Sequence, residues 1–530
     1  MQKRLTLTAA AILLAVIGLL PLIVMVADTF FVNGGFSAKA YDALLTTSKH
    51  QAAPMAHSML LSFLTSALAA FVGAALGLLL GKTDLPWRHV LMALFTVPLL
   101  LPPYVIATAW FTILGKGGLI GHALPSETTE FLSSALFGLF GCTGVLFTAF
   151  MPIVMLLTIA HAGAVNPRWE DAARLVSGWP SILRRITLPS IAPGIAFAAV
   201  LVFLLTFGET GVPTFLRYPV YPVEALTQFA AFYDFRTATA STIPMLVVTS
   251  IILILEYGLE RGKVSQLRAE APGERRAKIE LKRWRLPIFV IVSVWAFVSV
   301  LLPLLALVIQ SSSVGAYVEA FSRASDSIMH SLAFAVIGAT LLTLLGFFCG
   351  VLIHDPTQPL ARSVDGLALF LFTLPGTVIG IGLIGLWNRP MTNVIYATPA
   401  IIILGYLAQY SVLPMRVTSA TLARIPRSLE EAARLSGASW FMTLTRIVAP
   451  LATRGLMAAW LISYVFCLRD LGISMVVYPA GYETLPVRIL TLMANGAPNL
   501  IAALCVILIA ATLLPLGVAG LWLKYRARHS

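Results

Sequence analysis

The stretch EEAARLSGASWFMTLTRIVAP occurs at residues 430–450, and a near copy, EDAARLVSGWPSILRRITLP, occupies residues 170–189. Both copies place an acidic residue four positions before an arginine, a spacing and order that stabilise a helix. A glycine follows, then a basic and apolar turn, then a proline that opens a long apolar run. Each copy is therefore predicted to form a short helix, a bend and a second short helix between two membrane spans. The predicted ion pairs are Glu170 with Arg174 and Glu430 with Arg434.

Helix start signals precede each copy. Asn166-Pro167 offers a capping side chain followed by a first-turn proline. Ser428 and Glu431 have the spacing of a capping box, in which each side chain bonds a backbone N–H of the other residue. We therefore expect the first helix to start at residue 167 in one copy and just after Ser428 in the other.

Apolar residues dominate the 530-residue chain, which is 58% hydrophobic and 11% charged, with a mean hydropathy of +0.90. Soluble domains carry about 25% charged residues, so an all-α polytopic membrane protein is predicted. The first apolar run is long and lacks a clear small-residue cleavage site, so we expect it to remain as a span. Runs that approach the roughly 20 residues needed to cross a bilayer give twelve predicted spans: 7–27, 55–81, 90–114, 132–161, 190–210, 239–259, 286–310, 330–353, 366–387, 395–415, 451–470 and 498–522.

The basic residues indicate how the spans are oriented. The formal net charge is +13, and most of the 36 Lys and Arg fall in segments on the same side as the N-terminus, nine of them between Arg261 and Arg285. Cytoplasmic loops carry such an excess of Lys and Arg. Both termini and both copied segments are therefore predicted to be cytoplasmic. Topology accounts for the basic excess, and no nucleic-acid partner is expected.

The chain is predicted to consist of two parallel six-span repeats. Residues 1–259 form the first half, residues 260–285 a basic cytoplasmic linker, and residues 286–530 the second half. Even numbers of spans return the chain to the same side, which gives parallel repeats. Two further similarities support the division: His57-Ser58 matches His330-Ser331, and Phe95-Thr96-Val97-Pro98 matches Phe372-Thr373-Leu374-Pro375.

Motifs for catalysis or metal binding are absent from the sequence. Gly81-Lys82-Thr83 resembles the end of a phosphate-binding loop, but Leu76 replaces its first glycine and the segment ends an apolar run. The four cysteines are far apart in apolar segments and form neither a metal motif nor a disulfide framework. We therefore expect no catalytic residues, no metal and no cofactor in this chain.

Acidic residues end the two spans that follow the copied segments. Glu209 lies 20 residues after Pro189, and Asp470 lies 20 residues after Pro450, next to Arg469. Charges in a bilayer tend to face a partner or an aqueous path. Glu209, Arg469 and Asp470 are therefore candidates for lining a translocation path. The alternative is that they lie at the outer interface, with Arg469 paired to Asp470 locally.

The copied segments resemble the signature of inner-membrane permeases of binding-protein-dependent ABC importers, which reads Glu-Ala-Ala, glycine, then Ile-x-Leu-Pro. The second copy matches except that Ala449 replaces the leucine. The first has Asp171 for the glutamate and Ser177 at the glycine position, with Gly178 next to it. The resemblance implies a fold like that of type I importers and a coupling segment that docks on a separate ATPase. The implied contact residues are Glu170, Asp171, Ala172, Ala173, Gly178, Glu430, Glu431, Ala432, Ala433 and Gly437.

The resemblance also implies partners and a location. A pair of identical ATPase subunits would bind the ATP, a periplasmic binding protein would deliver the solute, and the permease would lie in a bacterial inner membrane. The fused length resembles ferric-iron and thiamine permeases, and the segment at residues 468–489 favours ferric iron; phosphonate and polyamine systems are similar. A secondary transporter with twelve spans is the alternative class, but it would need coupling-ion residues in mid-membrane and leaves the paired segments unexplained.

Overall fold

The computed structural model describes residues 2–32, 35–36, 48–115, 118–119, 125–232, 235–260, 278–355 and 357–529. These residues are almost entirely helical, apart from an antiparallel pair of two-residue strands, Phe31–Val32 and Gly35–Phe36. Residues 261–277, most of the predicted linker, lie outside the described residues. The fold is that of an all-α polytopic membrane protein, as predicted.

Eight of the described helices are long and apolar enough to cross a membrane. Four further helix pairs pass the same test but bend between their members by 50° to 106°. Counting each bent pair as one span gives twelve, the predicted number. The long helices are Lys3–Phe30, Ala52–Lys82, Leu139–Ala164, Trp179–Phe207, Thr239–Glu256, Lys282–Gln310, Val314–His354 and Pro498–Trp522; the pairs are Arg88–Leu100 with Pro103–Leu114, Ala361–Thr373 with Gly376–Trp387, Ala400–Tyr410 with Val412–Leu422, and Trp440–Leu451 with Thr453–Leu468.

Shorter helices connect the spans. Some lie in the copied segments and others follow the spans that end at Phe207 and Leu468. They are Ser126–Leu136, Pro167–Arg174, Gly211–Phe215, Tyr221–Phe232, Asn393–Tyr396, Arg427–Leu435, Ser474–Val477 and Leu485–Met493.

Two compact units make up the structure, and their bounds differ from the sequence halves. One unit, the C-terminal unit, comprises Met1–Lys49, Glu224–Leu246 and Gly315–Ser530. The other, the N-terminal unit, comprises His50–Val223 and Val247–Val314. The first span of each sequence half is thus assigned to the unit that contains most of the other half. The boundaries at residues 259 and 286 remain a prediction about the repeat and do not describe compact bodies.

Each unit has its own apolar packing. In the C-terminal unit, helix Leu20–Phe30 packs against helix Gly376–Trp387, with Leu22 beside Gly382. In the N-terminal unit, helix Leu139–Ala164 packs against Leu188–Phe207, and the rings of Phe95 and Trp295 lie 5.2 Å apart. Between membrane helices such contacts stabilise each unit through close van der Waals packing and not through transfer of apolar surface from water.

Prolines accompany irregular helical turns at matching positions in the two halves of the sequence. The described residues contain four five-residue π-helical turns, and a proline stands two positions after each. A proline ring clashes with the carbonyl four residues before it, and that carbonyl lies inside each turn. The wider π turn accommodates the clash, so the helix continues without breaking. The turns are Ala15–Leu19, Leu183–Thr187, Phe297–Leu301 and Leu444–Val448, before Pro21, Pro189, Pro303 and Pro450.

The strongest bends correct one predicted repeat match. Helices break by 101° at Leu101-Pro102 and by 106° at Leu374-Pro375. Pro98, which the sequence match paired with Pro375, lies inside helix Arg88–Leu100. Pro102 is therefore the structural counterpart of Pro375. The match was wrong by four residues because three prolines, Pro98, Pro102 and Pro103, stand close together in the first half of the chain.

Candidate functional site

The first copied segment, residues 166–189 (the first loop), folds as two short helices. Helix Pro167–Arg174 starts after Asn166, whose side chain accepts a hydrogen bond from the Arg168 backbone N–H at 2.9 Å. This confirms the predicted cap and first-turn proline. Gly178 precedes the second short helix, Trp179–Ile182, which passes through a π turn into the next span. The loop is thus helical along most of its length.

A buried ion pair anchors the first loop. Glu170 is 5% exposed, and its two carboxylate oxygens each accept a hydrogen bond from the Lys82 ammonium at 2.7 Å. The Thr187 hydroxyl donates a third bond at 2.8 Å. These bonds join the end of helix Ser48–Lys82, the first loop helix and the π turn. Because a buried charge is costly unless it is paired and hydrogen-bonded, these contacts fix the loop to its span.

The predicted pairing of Glu170 with Arg174 is wrong. Arg174 instead lies 3.6 Å from Asp171 and places its guanidinium 5.3 Å from the centre of the Trp179 ring. The helical spacing allowed the predicted pair, but Glu170 faces the protein interior and Arg174 is exposed. The role of Lys82 was missed, because a partner 88 residues away leaves no local pattern.

The second loop, residues 424–450, turns at a glycine. Helix Arg427–Leu435 follows Pro426, without a side-chain cap bond, so the predicted capping box at Ser428 is wrong. Gly437 has φ +80°, and the next N–H, from Ala438, reaches the Ala433 carbonyl at 3.0 Å. This is the Schellman ending of a helix, which needs a left-handed residue. The Ser439 hydroxyl then caps helix Trp440–Thr443 by accepting from Met442 N–H at 3.2 Å.

The anchor of the first loop has no copy in the second. The 273-residue spacing that relates His57 to His330 places Asp355 where Lys82 stands, and Val448 replaces Thr187 two residues before the loop proline. Glu430 instead pairs with Arg434 at 3.5 Å, as predicted, and this pair is partly exposed. The two loops therefore share a shape but not the contacts that hold it.

Asp355 forms a different polar cluster beside the second loop. It lies 2.9 Å from the Lys3 ammonium and accepts a bond from the Thr357 hydroxyl at 2.6 Å. The Thr357 bond, followed by Lys3, holds the pKa of the Asp355 carboxyl well below its ordinary value. A cavity of about 230 Å³ adjoins this cluster. Its polar lining includes Lys3, His354, Asp355, Glu430, Glu431 and Arg434.

The remaining predicted contact residues divide by exposure. Ala433 is buried, while Ala173 and Glu430 are half-buried. The exposed ones are Asp171, Ala172, Gly178, Glu431, Ala432 and Gly437.

Each loop also presents apolar side chains to its surroundings. Leu175 and Val176 are 86% and 88% exposed, and Leu435 is 91% exposed. All three lie at the end of the first helix of their own loop, beside the bend. Sequence reasoning missed them, although apolar residues at the tip of an otherwise polar segment were a usable signal.

The acidic residues at the span ends cap short helices. Glu209 accepts bonds from the N–H groups of Gly211 and Val212, at 3.0 and 3.4 Å, at the start of helix Gly211–Phe215. Asp470 is buried and accepts from the Ser474 N–H at 2.9 Å and from the Tyr410 hydroxyl at 2.7 Å. Both carboxylates thus satisfy the free N–H groups of a helix start.

Arg469, the third path candidate, packs against an aromatic ring. Its guanidinium lies 4.7 Å from the centre of the Phe466 ring. The two acidic residues occupy equivalent positions in their repeats, whereas arginine stands beside only one of them.

The His-Ser pairs make equivalent contacts in both units. The Ser58 hydroxyl accepts the Tyr221 N–H at 2.8 Å, and the Ser331 hydroxyl accepts the Leu485 N–H at 2.6 Å. Each serine thereby caps the short helix that begins at its partner. The repeat match made from these two residues is therefore a structural one.

Among the described residues, no group of three or more His, Cys, Asp or Glu side chains could hold a metal ion.

Three findings bear on the class of protein. The described helices could cross a membrane up to twelve times, the two loops are helical, and part of the chain matches a family. Residues 343–526, which contain the second loop, match the binding-protein-dependent transport system inner membrane component family. This part of the chain is therefore similar to the inner-membrane components of binding-protein-dependent transport systems.

Named relatives point in the same direction. The chain is 23% identical over 413 residues to the putative ferric transport system permease protein FbpB 1 of Haemophilus influenzae, covering 74% of this chain and 65% of that protein. It is 22% identical over 422 residues to the ferric transport system permease protein FbpB of Actinobacillus pleuropneumoniae, covering 76% and 61%. The spermidine/putrescine permease PotC of Escherichia coli is 26% identical over 194 residues, covering 35% and 69%. The chain thus spans under two thirds of the length of the ferric relatives.

Proposed function

We propose that the chain forms the translocation path of an ATP-driven importer and that the two loops receive the motion of separate ATPase subunits. The observation that supports this proposal is that each loop is a folded helical element with exposed apolar residues at its bend, and that a buried ion pair anchors the first loop to its span. A loop transmits force to a span only if it is stiff, and the Lys82–Glu170 pair makes the first loop continuous with two spans. Leu175, Val176 and Leu435 would insert into apolar grooves of the ATPase, because exposed apolar groups mark interaction sites.

The direction of transport follows from the same assembly. ATP would bind to a pair of identical ATPase subunits in the cytoplasm, and their closure would rock the spans between inward-open and outward-open states. A periplasmic binding protein would deliver solute to the outer face of the bacterial inner membrane. Both termini and both loops would then be cytoplasmic, in agreement with the excess of Lys and Arg on that side.

Ferric iron is the solute we propose. Two relatives that each match about three quarters of this chain are named ferric transport permeases, and this supports the proposal. Polyamine transport is the second candidate, because the match to a spermidine/putrescine permease is similar in identity but covers 35% of the chain. Thiamine and phosphonate remain alternatives from the sequence resemblance. Uptake of radiolabelled iron and spermidine by the same cells would separate the first two.

Co-purification with the ATPase tests the proposed contact. Glu431→Lys reverses an exposed charge on the second loop, so the variant should insert in the membrane but lose its ATPase partner. Glu127→Lys, an exposed acidic residue at the start of helix Ser126–Leu136, is the matched control and should retain it. Full co-purification and transport by Glu431→Lys would refute the assignment.

A further inference from the structure

An open groove with two free arginines lies beside the second loop in the C-terminal unit. It has a volume of about 610 Å³ and runs between helices Val412–Leu422 and Thr453–Leu468. Arg424 and Arg454 line it, and both side chains are exposed. Among the described residues neither guanidinium has a hydrogen-bond or ion-pair partner. Two cations therefore face one groove without a counter-charge from the protein.

Apolar groups supply the rest of the groove surface. Leu429 and Leu451 are 42% and 54% exposed, and Ala458 extends the lining along the span. Gly455 allows the two helices to touch at the groove floor, because a side chain there would overlap Thr421. The groove thus combines a cationic end near the loop with an apolar surface on a membrane helix.

The first repeat shows that this arrangement is not required by the fold. Counted from the shared Glu-x-Ala-Ala-Arg run, Arg424 corresponds to Ala164; counted from the loop prolines, Arg454 corresponds to Pro193. The His161 ring lies against Gly194 where Thr421 lies against Gly455. Helix contact is kept in both repeats, while the two cations occur in one. A general preference for basic residues on the cytoplasmic side would not require both arginines to line one groove.

We propose that this groove binds an anionic phospholipid, with the headgroup phosphate between Arg424 and Arg454 and an acyl chain along Leu451 and Ala458. Guanidinium groups bind phosphate oxygens through paired N–H donors, and basic pockets between membrane helices accept acidic headgroups. A free phosphate would use the arginines but not the apolar surface. The bound lipid would bridge the start of the second loop and the span that follows the loop.

Lipid retention by the purified full-length chain tests the proposal. Native mass spectrometry in mild detergent would measure binding of phosphatidylglycerol, phosphatidylcholine and inorganic phosphate. We expect selective binding of phosphatidylglycerol, weakened about fivefold by Arg424→Gln or Arg454→Gln and about 25-fold by both. The control Arg446→Gln removes an exposed loop arginine that does not line the groove and should bind as the unmodified chain does.

A second variant separates lipid binding from a folding defect. Ala458→Trp fills the apolar part of the groove and leaves both arginines in place, so it should also lose phosphatidylglycerol while its elution volume and helical circular dichroism stay unchanged. Equal binding of phosphatidylcholine, displacement by millimolar inorganic phosphate, or undiminished binding in both the double arginine variant and Ala458→Trp would each overturn the proposal.

Discussion

Lys82 shows how a single residue can hold a loop. The Lys82 side chain is 6% exposed, and its two bonds to Glu170 connect a span to the first loop. Lys82→Met would leave the Glu170 carboxylate buried without its counter-charge, which costs about 3–5 kcal/mol. We expect a markedly lower midpoint of thermal unfolding in detergent.

The second loop supplies the control for this variant. Arg434→Met removes the partner of Glu430 from a partly exposed pair, which contributes at most about 0.5 kcal/mol after solvent screening. Its unfolding midpoint should therefore stay close to that of the unmodified chain. Equal effects of Lys82→Met and Arg434→Met would contradict the account of unequal anchoring.

The loop glycines differ in the backbone conformation they require. Gly437 has φ +80°, where a side chain costs about 1–2 kcal/mol, whereas Gly178 has φ −81°. Gly437→Val should disturb the second loop and weaken association with the ATPase, measured by the fraction co-purified. Gly178→Ala should have little effect on that fraction. The reverse order of effects would show that backbone strain does not explain the role of Gly437.

Sequence predicted some of the local residue contacts and missed the distant ones, and the local capping box at Ser428 did not form. The Asn166 cap and the Glu430–Arg434 pair depend on spacings of two to four residues, and both form. The Glu170–Arg174 pair had the same spacing but failed, because burial gave Glu170 better partners in Lys82 and Thr187. The exposed tip residues depend on which helix face is buried, which the short loop sequence does not specify.

At the scale of elements, Glu209 and Asp470 act as caps of the short helices that follow two spans. Each carboxylate fixes the turn that follows a span. This capping role neither requires nor contradicts the prediction that the two residues line a translocation path. The double variant Glu209→Gln with Asp470→Asn removes both charges while keeping the side-chain shape. We expect impaired solute uptake with normal membrane insertion, because the two helix starts lose their charge-assisted bonds.

Two measurements test this prediction. Solute uptake in cells reports on transport, and co-purification with the ATPase reports on assembly. The control is the pair Ser58→Ala with Ser331→Ala, which removes two neutral helix-start bonds of about 1 kcal/mol each. Undiminished uptake by the double acidic variant would remove Glu209 and Asp470 from the translocation path.

The spans lie where the apolar runs predicted them, but some helices start well before the predicted span, such as Val314–His354 for the span at 330–353, and the sharpness of the bends was not predicted. Apolar runs located the spans, and prolines marked irregular helices, yet the same residue type produced two outcomes. Pro102 and Pro375 start new helices at sharp breaks, whereas Pro189 and Pro450 follow π turns. A proline leaves a backbone carbonyl of the preceding turn without its usual partner. Whether the helix then breaks or continues through a π turn depends on tertiary packing around that turn, which the local sequence does not specify.

At the scale of the whole molecule, each compact unit combines segments that are distant in the sequence, and the C-terminal unit contains both ends of the chain. The repeat predicts which spans are similar, because similarity is recorded in the sequence. It does not predict that residues 1–49 belong with residues 315–530. The first span of each half could pack in either unit with the same sequence and the same hydropathy pattern. The count of up to twelve spans and the similarity to a permease family were predictable, whereas the partition into units was not.

Uptake by proteoliposomes of defined composition tests the central claim that motion enters through the two loops from a separate ATPase. Vesicles would contain the purified chain, with or without its ATPase, ATP inside and loaded binding protein outside. The account predicts uptake only when chain, ATPase, ATP and binding protein are all present, and loss of uptake with Glu431→Lys. Uptake by the chain alone, driven by an ion gradient or by the solute gradient, would contradict it.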